Sequence, residues 1–361
     1  MTDPDARPYV LISSDGHAGA DLLDYRPYLD AAFRDEFDAW TSDFTEPWAD
    51  YDREMTDTDD EFLRIGQASF LSPYNWDNDK RLDHLDDQGI AAEVVLPNTV
   101  PPFYPAAVIS AWAPRDAEEY RLRRAGVQAH NRWLVDFCAQ APGRRAGLAQ
   151  VFLADLDAAI AVGAYETHLF FRRGLGHVML GGVFERFPDL QFAFTETGSA
   201  WIADELPNLD GTVMTGRIKG TTAYPLFHRT VETLSKLPSE YFASNCRVGI
   251  SLAVDADIEA RHRLGVDRLM WGADYPHHEG SFPHNKLAVR LLFAGVPEDE
   301  VRQMTSVNAA QLYGFDLDML QGVADRIGPT VEEVATPVSA DELPPVSLGH
   351  TLAAAIRSAR A

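Results

Sequence analysis

Short apolar runs, each closed by a turn residue or a charged side chain, recur along the chain. They predict six buried strands at Tyr9–Ser13, Ala92–Leu96, Ala146–Phe152, Gln191–Thr195, Arg247–Leu252 and Arg268–Trp271. Runs without polar alternation fit the strands of a parallel sheet covered on both faces. Between them the period changes. Leu122, Ala125, Ala129, Trp133 and Phe137 recur by threes and fours and define one helix face, and Gly143 beyond it suits a chain reversal. Pro297-Glu-Asp-Glu300 opens a later helix with a negative first turn that complements its dipole. Val301, Met304, Asn308 and Leu312 share one side of it, and Gly314 is placed to stop it. Strand–helix alternation of this kind predicts parallel βαβ units and an α/β fold.

Two stretches break the rhythm. Residues 18–80 carry Pro27, Pro47 and Pro73, many acidic side chains, and Trp40, Trp48 and Trp76. An insertion that follows a strand end forms a lid or an interface rather than core. Beyond Phe315, Pro329, Pro337, Pro344 and Pro345 lie among acidic and small residues, which predicts a loosely held extension over 316–361.

Composition narrows the function classes. At 361 residues the chain can bury one large α/β core. A net charge of -24 argues against nucleic acid as a partner, because a phosphate backbone is held by Lys and Arg. No run approaches the roughly 20 apolar residues of a membrane helix. Met1-Thr-Asp-Pro-Asp lacks the basic and apolar regions of a secretory signal, so no membrane partner is expected. Cys138 and Cys246 are too few and too far apart for a disulfide framework or a cysteine zinc site. Both read as small packed residues of a reducing compartment, and the chain reads as cytoplasmic.

The candidate chemistry sits where strands end. Arg268-Leu-Met-Trp-Gly-Ala-Asp274 leads an apolar run through Gly to a carboxylate, followed by the turn Tyr-Pro-His277. The first strand runs into Ser13-Ser14-Asp15-Gly16-His17, and the fourth into Glu196-Thr-Gly198. Asp15 and His17 share one face if the strand extends through them. Taken singly, each is an ordinary turn or a helix-start carboxylate. Taken together, Asp15, His17, Glu196 and Asp274 predict one metal site assembled from distant strand ends. His277 and His278 either contact substrate or hydrogen-bond within their loop. His177 reads as a satisfied helix histidine, His84 as exposed on an acidic helix, and Arg121, Arg123 and Arg124 as a solvated helix face.

Competing templates fail. Gly174-Leu-Gly176-His-Val-Met179 has Met at the third glycine position of a dinucleotide loop and lies in a helical span. The chain has no Gly-x-Ser-x-Gly elbow, no His-Glu-x-x-His and no Walker-type Gly-Lys-Ser/Thr.

The chain resembles the amidohydrolase superfamily, in particular the amidohydrolase-related branch that includes aminocarboxymuconate-semialdehyde decarboxylase-like enzymes. The resemblance spans most of residues 9–315. It rests on Ile12-Ser-Ser-Asp15-Gly-His17, Arg81-Leu-Asp-His-Leu-Asp-Asp-Gln-Gly89, Gly181-Gly-Val-Phe-Glu-Arg-Phe-Pro-Asp-Leu190, Trp271-Gly-Ala-Asp274-Tyr-Pro-His277 and Asn308-Ala-Ala-Gln-Leu-Tyr-Gly-Phe315, in family order. It implies a TIM-like (β/α) barrel of the metal-dependent hydrolase type, with the site at the strand C-termini. Asp15 stands where the family usually has the first His of His-x-His, and Glu196 where a later strand usually presents His. These replacements widen the expected single divalent ion from Zn²⁺ towards Mn²⁺, Fe²⁺ or Mg²⁺. Six strands rather than eight imply an incomplete barrel, with strands four and five missing near residues 153–165 and no counterpart of the strand-five His. A gap is therefore expected between the strands at Ala146–Phe152 and Gln191–Thr195.

The resemblance further implies a metal-dependent hydrolase or non-oxidative decarboxylase acting on a small carboxylic acid, lactone or amide. Asp274 is the catalytic residue in that reading, accepting and returning a proton. A homodimer is also implied, with residues 18–80 as lid or dimer contact. The alternative is a catalytically impaired relative that keeps the scaffold.

Overall fold

A computed structural model describes residues 7–45, 72–105, 111, 114–150, 163–221, 224–347 and 349–360. Strands occur at all six predicted places: β1 Leu11–Ala18, β2 Ile90–Pro97, β3 Arg145–Gly147, β4 Phe192–Phe194, β5 Cys246–Ile250 and β6 Leu269–Trp271. The third is shorter than the expected Ala146–Phe152, ending at Gly147, with 151 and 152 outside the described residues. All eight residues of β1 are buried, the apolar Leu11 and Ile12 as well as the polar Ser13, Ser14, Asp15 and His17 that follow them.

The strands form two three-stranded parallel sheets, β1-β2-β3 and β4-β5-β6. The sheets meet at one place. A parallel bridge pairs Gly16 with Tyr275, His17 N–H donates to the Tyr275 carbonyl at 2.6 Å, and Asp274 N–H donates to the Asp15 carbonyl at 2.9 Å. The strand order therefore runs β3-β2-β1-β6-β5-β4. Among the described residues no pairing joins β3 to β4.

Helices cover this frame. Ala117–Ala139 starts at Asp116, whose carboxylate accepts from Glu118 N and Glu119 N at 3.0 and 2.9 Å. It buries Ala125, Ala129, Trp133 and Phe137, as the periodicity predicts, and Gly143 turns the chain at φ 76°. The helix after Pro297 contains a π-helical stretch at Gln303–Val307 before Asn308–Tyr313. That stretch sets Asn308 beneath β6, where its side-chain amide donates to the Leu269 and Val266 carbonyls at 2.6 and 2.8 Å. Gly314 ends the helix in the left-handed conformation.

Several expectations need correction. The C-terminal extension is not loosely held. Asp316 caps a helix at Leu317–Ile327, whose Leu320 and Ala324 are fully buried against Val10, Ile12, Ala92 and Met270. The helix His350–Arg360 docks on the loops after β5 and β6. His350 N donates to the Glu279 carbonyl and the Thr351 hydroxyl to the Ala253 carbonyl, both at 2.7 Å. Arg123 is buried rather than solvated and pairs with Glu119, while Arg121 pairs at the surface with Glu36 and Glu118. His84 is half-buried, stacked on Tyr74 at 4.1 Å with Nδ1 3.3 Å from the Tyr275 hydroxyl. His177 lies on the exposed side of the helix Gly163–Leu180. Trp40 and Trp76 pack on their own chain, against Phe103 and against the Trp133 cluster respectively. Trp48, and residues 153–162 of the stretch where strands four and five are expected to be missing, lie outside the described residues. Among the described residues no helix is long and apolar enough to cross a membrane.

Candidate metal centre

The seam between β1 and β6 positions the acidic residues. The Ser13 hydroxyl donates to the Asp15 carbonyl at 2.6 Å and accepts from Ala273 N at 2.9 Å, which ties the two strand ends together. Gly272 is required here, since a Cβ on it would stand 2.8 Å from the Asp15 Cβ. Glu196 and Asp274 each follow their strand in the left-handed region, at φ 55° and 56°, and Phe103 is the third non-glycine residue so placed among those described. Such a backbone conformation costs on the order of 1 kcal/mol or more for a side chain other than glycine, and it clusters at functional sites. Both carboxylates are turned inward by it.

The side chains converge closely. His17 Nε2 lies 3.0 Å from Glu196 Oε1 and 3.2 Å from both Asp15 Oδ1 and Asp274 Oδ1. His277 Nδ1 lies 2.9 Å from Asp274 Oδ1 and 3.6 Å from Glu196 Oε1. The two imidazoles stack with centroids 3.9 Å apart and 27° between planes. His17, Glu196, Asp274 and His277 each offer a ligand atom, all within 4.8 Å of one another. Asp15 lies alongside, its Oδ2 accepting the Ser251 hydroxyl. His278 stands outside this group, with Nδ1 3.2 Å from Glu279 Oε2. Asp15, His17 and Asp274 are buried, whereas Glu196 leaves 37% of its side chain exposed and forms the open side.

The second nitrogen of each ring is tied down from behind by consecutive residues at the end of β2. His17 Nδ1 lies 3.4 Å from the Pro97 carbonyl, and His277 Nε2 lies 3.0 Å from Asn98 Oδ1.

Charge in the cluster is strongly coupled. Burial opposes charge on His17, but hydrogen bonds to Asp15, Asp274 and Glu196 outweigh it and hold the imidazole well above its ordinary range. Burial raises Asp15 above the usual carboxylate range despite His17 beside it. Burial also works against Glu196, yet hydrogen bonds from His17 and His277 pull it well below that range. His277, disfavoured by burial and by the neighbouring His17, is carried up to about 9 by Asp274 and Glu196. The cluster draws positive charge to itself.

A divalent ion fits these residues. One Nε2–H can serve one acceptor well, yet three carboxylate oxygens crowd His17 Nε2. Asp15 Oδ1 and both Asp274 oxygens are buried without a well-aligned hydrogen bond among the described residues, and the nitrogens near Asp15 Oδ1 and Asp274 Oδ1 are shared. Leaving such acceptors unsatisfied costs about 1–3 kcal/mol or more each. Ligand atoms around a tetrahedral ion with bonds of about 2.0 Å sit about 3.3 Å apart. The spacings of 3.0 and 3.2 Å around His17 Nε2 match that.

The sequence offers His277 as a substrate or loop residue, and the one signal of its place in the cluster is the Asp274-x-x-His277 spacing. Two contributors carry no sequence signal. Asn98 and Ser251 follow the ends of β2 and β5, and only the curvature of the sheets brings them to the site.

Residues 175–315 match the family model described as Amidohydrolase. That segment contains Glu196, Asp274 and His277 but not Asp15 or His17, whose place rests on geometry. Solved structures share the fold. A 5-carboxyvanillate decarboxylase from Sphingomonas paucimobilis superposes with a TM-score of 0.53 at 17% identity, covering 85% of this chain and 100% of that one. An amidohydrolase from Mycobacterium avium subsp. paratuberculosis gives 0.55 at 17% identity, over 87% and 100%. A dihydroxybenzoic acid decarboxylase from Polaromonas sp., with bound manganese and the inhibitor 2-nitroresorcinol, gives 0.50 at 15% identity, over 85% and 97%. No curated protein sequence matches the chain. Its resemblance is to the amidohydrolase superfamily, carried by the family pattern over residues 175–315 and by the fold of the solved amidohydrolases and decarboxylases.

Proposed function

We propose that this chain is a metal-dependent enzyme of the amidohydrolase kind, which hydrolyses or non-oxidatively decarboxylates a small organic substrate. The observation that carries the reading is the convergence of His17, Glu196, Asp274 and His277 ligand atoms within 4.8 Å, with Asp15 beside them. His17, Glu196, Asp274 and His277 hold the ion in this reading, with Asp15 beside them. The carboxylate-rich set admits Zn²⁺ first, and Mn²⁺, Fe²⁺ or Mg²⁺ as alternatives. A bound divalent ion would supply Lewis acidity towards a carbonyl or carboxylate oxygen.

The chain's own residues do the rest. Asp274 holds and returns the proton, since its Oδ2 faces no competing donor among the described residues. The decarboxylases that share the fold support a substrate bearing a carboxylate; a lactone or amide suits the hydrolytic version. His278, beside Glu279 in the loop after Asp274, belongs to the substrate side of the site. A homodimer and a barrel lacking two strands between β3 and β4 complete the reading.

Metal analysis of the purified full chain tests it, together with carbon dioxide release from hydroxybenzoates and hydrolysis of lactones and amides. About one divalent ion per chain and turnover, both lost in Asp274→Asn with the fold intact, are expected. A stable chain without metal or turnover would favour a catalytically impaired relative instead.

A further inference from the structure

We infer that the end of β2 sets the tautomers of both site histidines, and that Asn98 is the positioning residue that presents Nδ1 of His277, as a lone pair, to the ion. The inference rests on the metal-site reading above. Its argument is the polarity of a hydrogen-bond chain anchored on a backbone carbonyl.

The Ser72 carbonyl can only accept, so the Asn75 group facing it at 3.0 Å is the side-chain nitrogen. Asn75 then turns its oxygen to Asn98, which must answer with its own nitrogen. That leaves the Asn98 oxygen facing His277 Nε2 at 3.0 Å, and an oxygen acceptor requires the proton on Nε2. In the neutral ring the lone pair is then on Nδ1, the atom 2.9 Å from Asp274 Oδ1 and 3.6 Å from Glu196 Oε1. One residue earlier, the Pro97 carbonyl does the same for His17. It takes the Nδ1 proton and leaves Nε2 towards Asp15, Glu196 and Asp274. Two stacked rings thus present opposite nitrogens to one point, each fixed from behind by a consecutive residue of one strand end. Asn75 is fully buried, so the relay is anchored in the core. Outer partners of this kind fix the ring orientation and raise the basicity of a ligating imidazole.

The test uses the full chain, stripped of metal by chelator and titrated with Zn²⁺ alone. Long-range proton–nitrogen NMR of the zinc-loaded protein should show His277 protonated on Nε2, with Nδ1 shifted by the metal. Asn98→Leu should weaken zinc affinity by about ten- to hundredfold. Asn98→Asp keeps an acceptor for Nε2 but loses the donor to Asn75, so it should recover part of the affinity. A proton on Nδ1 in the zinc-loaded protein, or parent affinity in Asn98→Leu, would overturn the inference while leaving the metal site standing. If the unmodified chain binds no zinc, the metal-site reading falls and the inference falls with it. Should Asn98→Leu fail to fold by circular dichroism, the spectra of the unmodified protein decide.

Discussion

Two clusters of buried charge lie on either side of Gly16, and they are built on opposite principles. On one side, fully buried Glu93 receives Arg81 through two parallel bonds of 2.9 and 2.7 Å, and Arg145 at 3.1 Å. Arg81 also donates to the Tyr74 carbonyl and lies over the Tyr275 ring at 4.6 Å, while Arg145 donates to Asn78 and the Phe137 carbonyl. Both oxygens of that carboxylate are used, and Arg145 Nη2 is its one loose donor among the described residues. Glu93 is accordingly held below the usual carboxylate range, the two guanidiniums outweighing its burial. On the other side, Asp15, Glu196 and Asp274 share two imidazoles, and buried oxygens are left over. The first cluster is saturated and holds structure. The second is short of positive charge, which marks a place for a cation. Gly16 separates them because a Cβ there would stand 3.1 Å from Glu93 Oε2 and 3.2 Å from the Val94 carbonyl.

The comparison can be broken first at Asp274. Asp274→Asn should lower turnover by about 10²–10⁴-fold, the usual range for losing a positioned acid or base, without lowering the unfolding midpoint in urea. A matching fall in stability would place Asp274 with the structural cluster instead. The saturated cluster predicts the reverse. Arg81→Met leaves Glu93 with Arg145 alone and should destabilise the chain by about 3 kcal/mol, the lower end for breaking a buried ion pair. Denaturant unfolding measures it, and a Glu93→Leu, Arg81→Met double variant should recover part of the loss.

A buried base without a counter-charge sharpens the contrast. His130 accepts or donates one bond, to the Tyr25 hydroxyl at 2.9 Å, and burial alone pushes it down from 6.5 to about 4. The unfolded chain therefore binds the extra proton between those values. Stability from this group is fully present above pH 6.5 and is lost as pH falls towards 4, by about 3 kcal/mol. His130→Leu should flatten that part of the stability–pH curve, as pH-dependent unfolding would show. The smallest effect is expected at Ser251→Ala. Removing the hydroxyl that Asp15 Oδ2 accepts should cost about 1 kcal/mol of site order, read as a severalfold weaker zinc affinity.

What was legible in the sequence follows the same division. The places of all six strands were readable because an apolar run leads into or lies within most of them, although β1 continues through polar residues and β3 is only Arg145–Gly147. Asp15, His17, Glu196 and Asp274 were readable because each ends such a run beside a Gly or Pro turn. Contributions set by register or polarity were not readable. Ser251 reaches Asp15 only because β5, β6 and β1 lie in that order, and Asn98 faces His277 with its orientation set by Asn75 from a separate 3-10 turn. The tail misled because its Pro and acidic content outweighed a helical period in Leu317, Leu320, Ala324 and Ile327, the face that packs on β1, β2 and β6. Arg123 misled because an arginine on a helix is ordinarily solvated; its i−4 pair with Glu119 is local, but nothing local shows that this side of the helix is covered.

The most direct measurement is calorimetric titration of the chelator-stripped full chain with zinc, repeated on an Asp274→Asn, His17→Gln double variant shown to be folded. One ion per chain in the parent and none in the variant is the predicted result. No binding in the parent, or equal binding in both, would contradict a cation at the seam between β1 and β6.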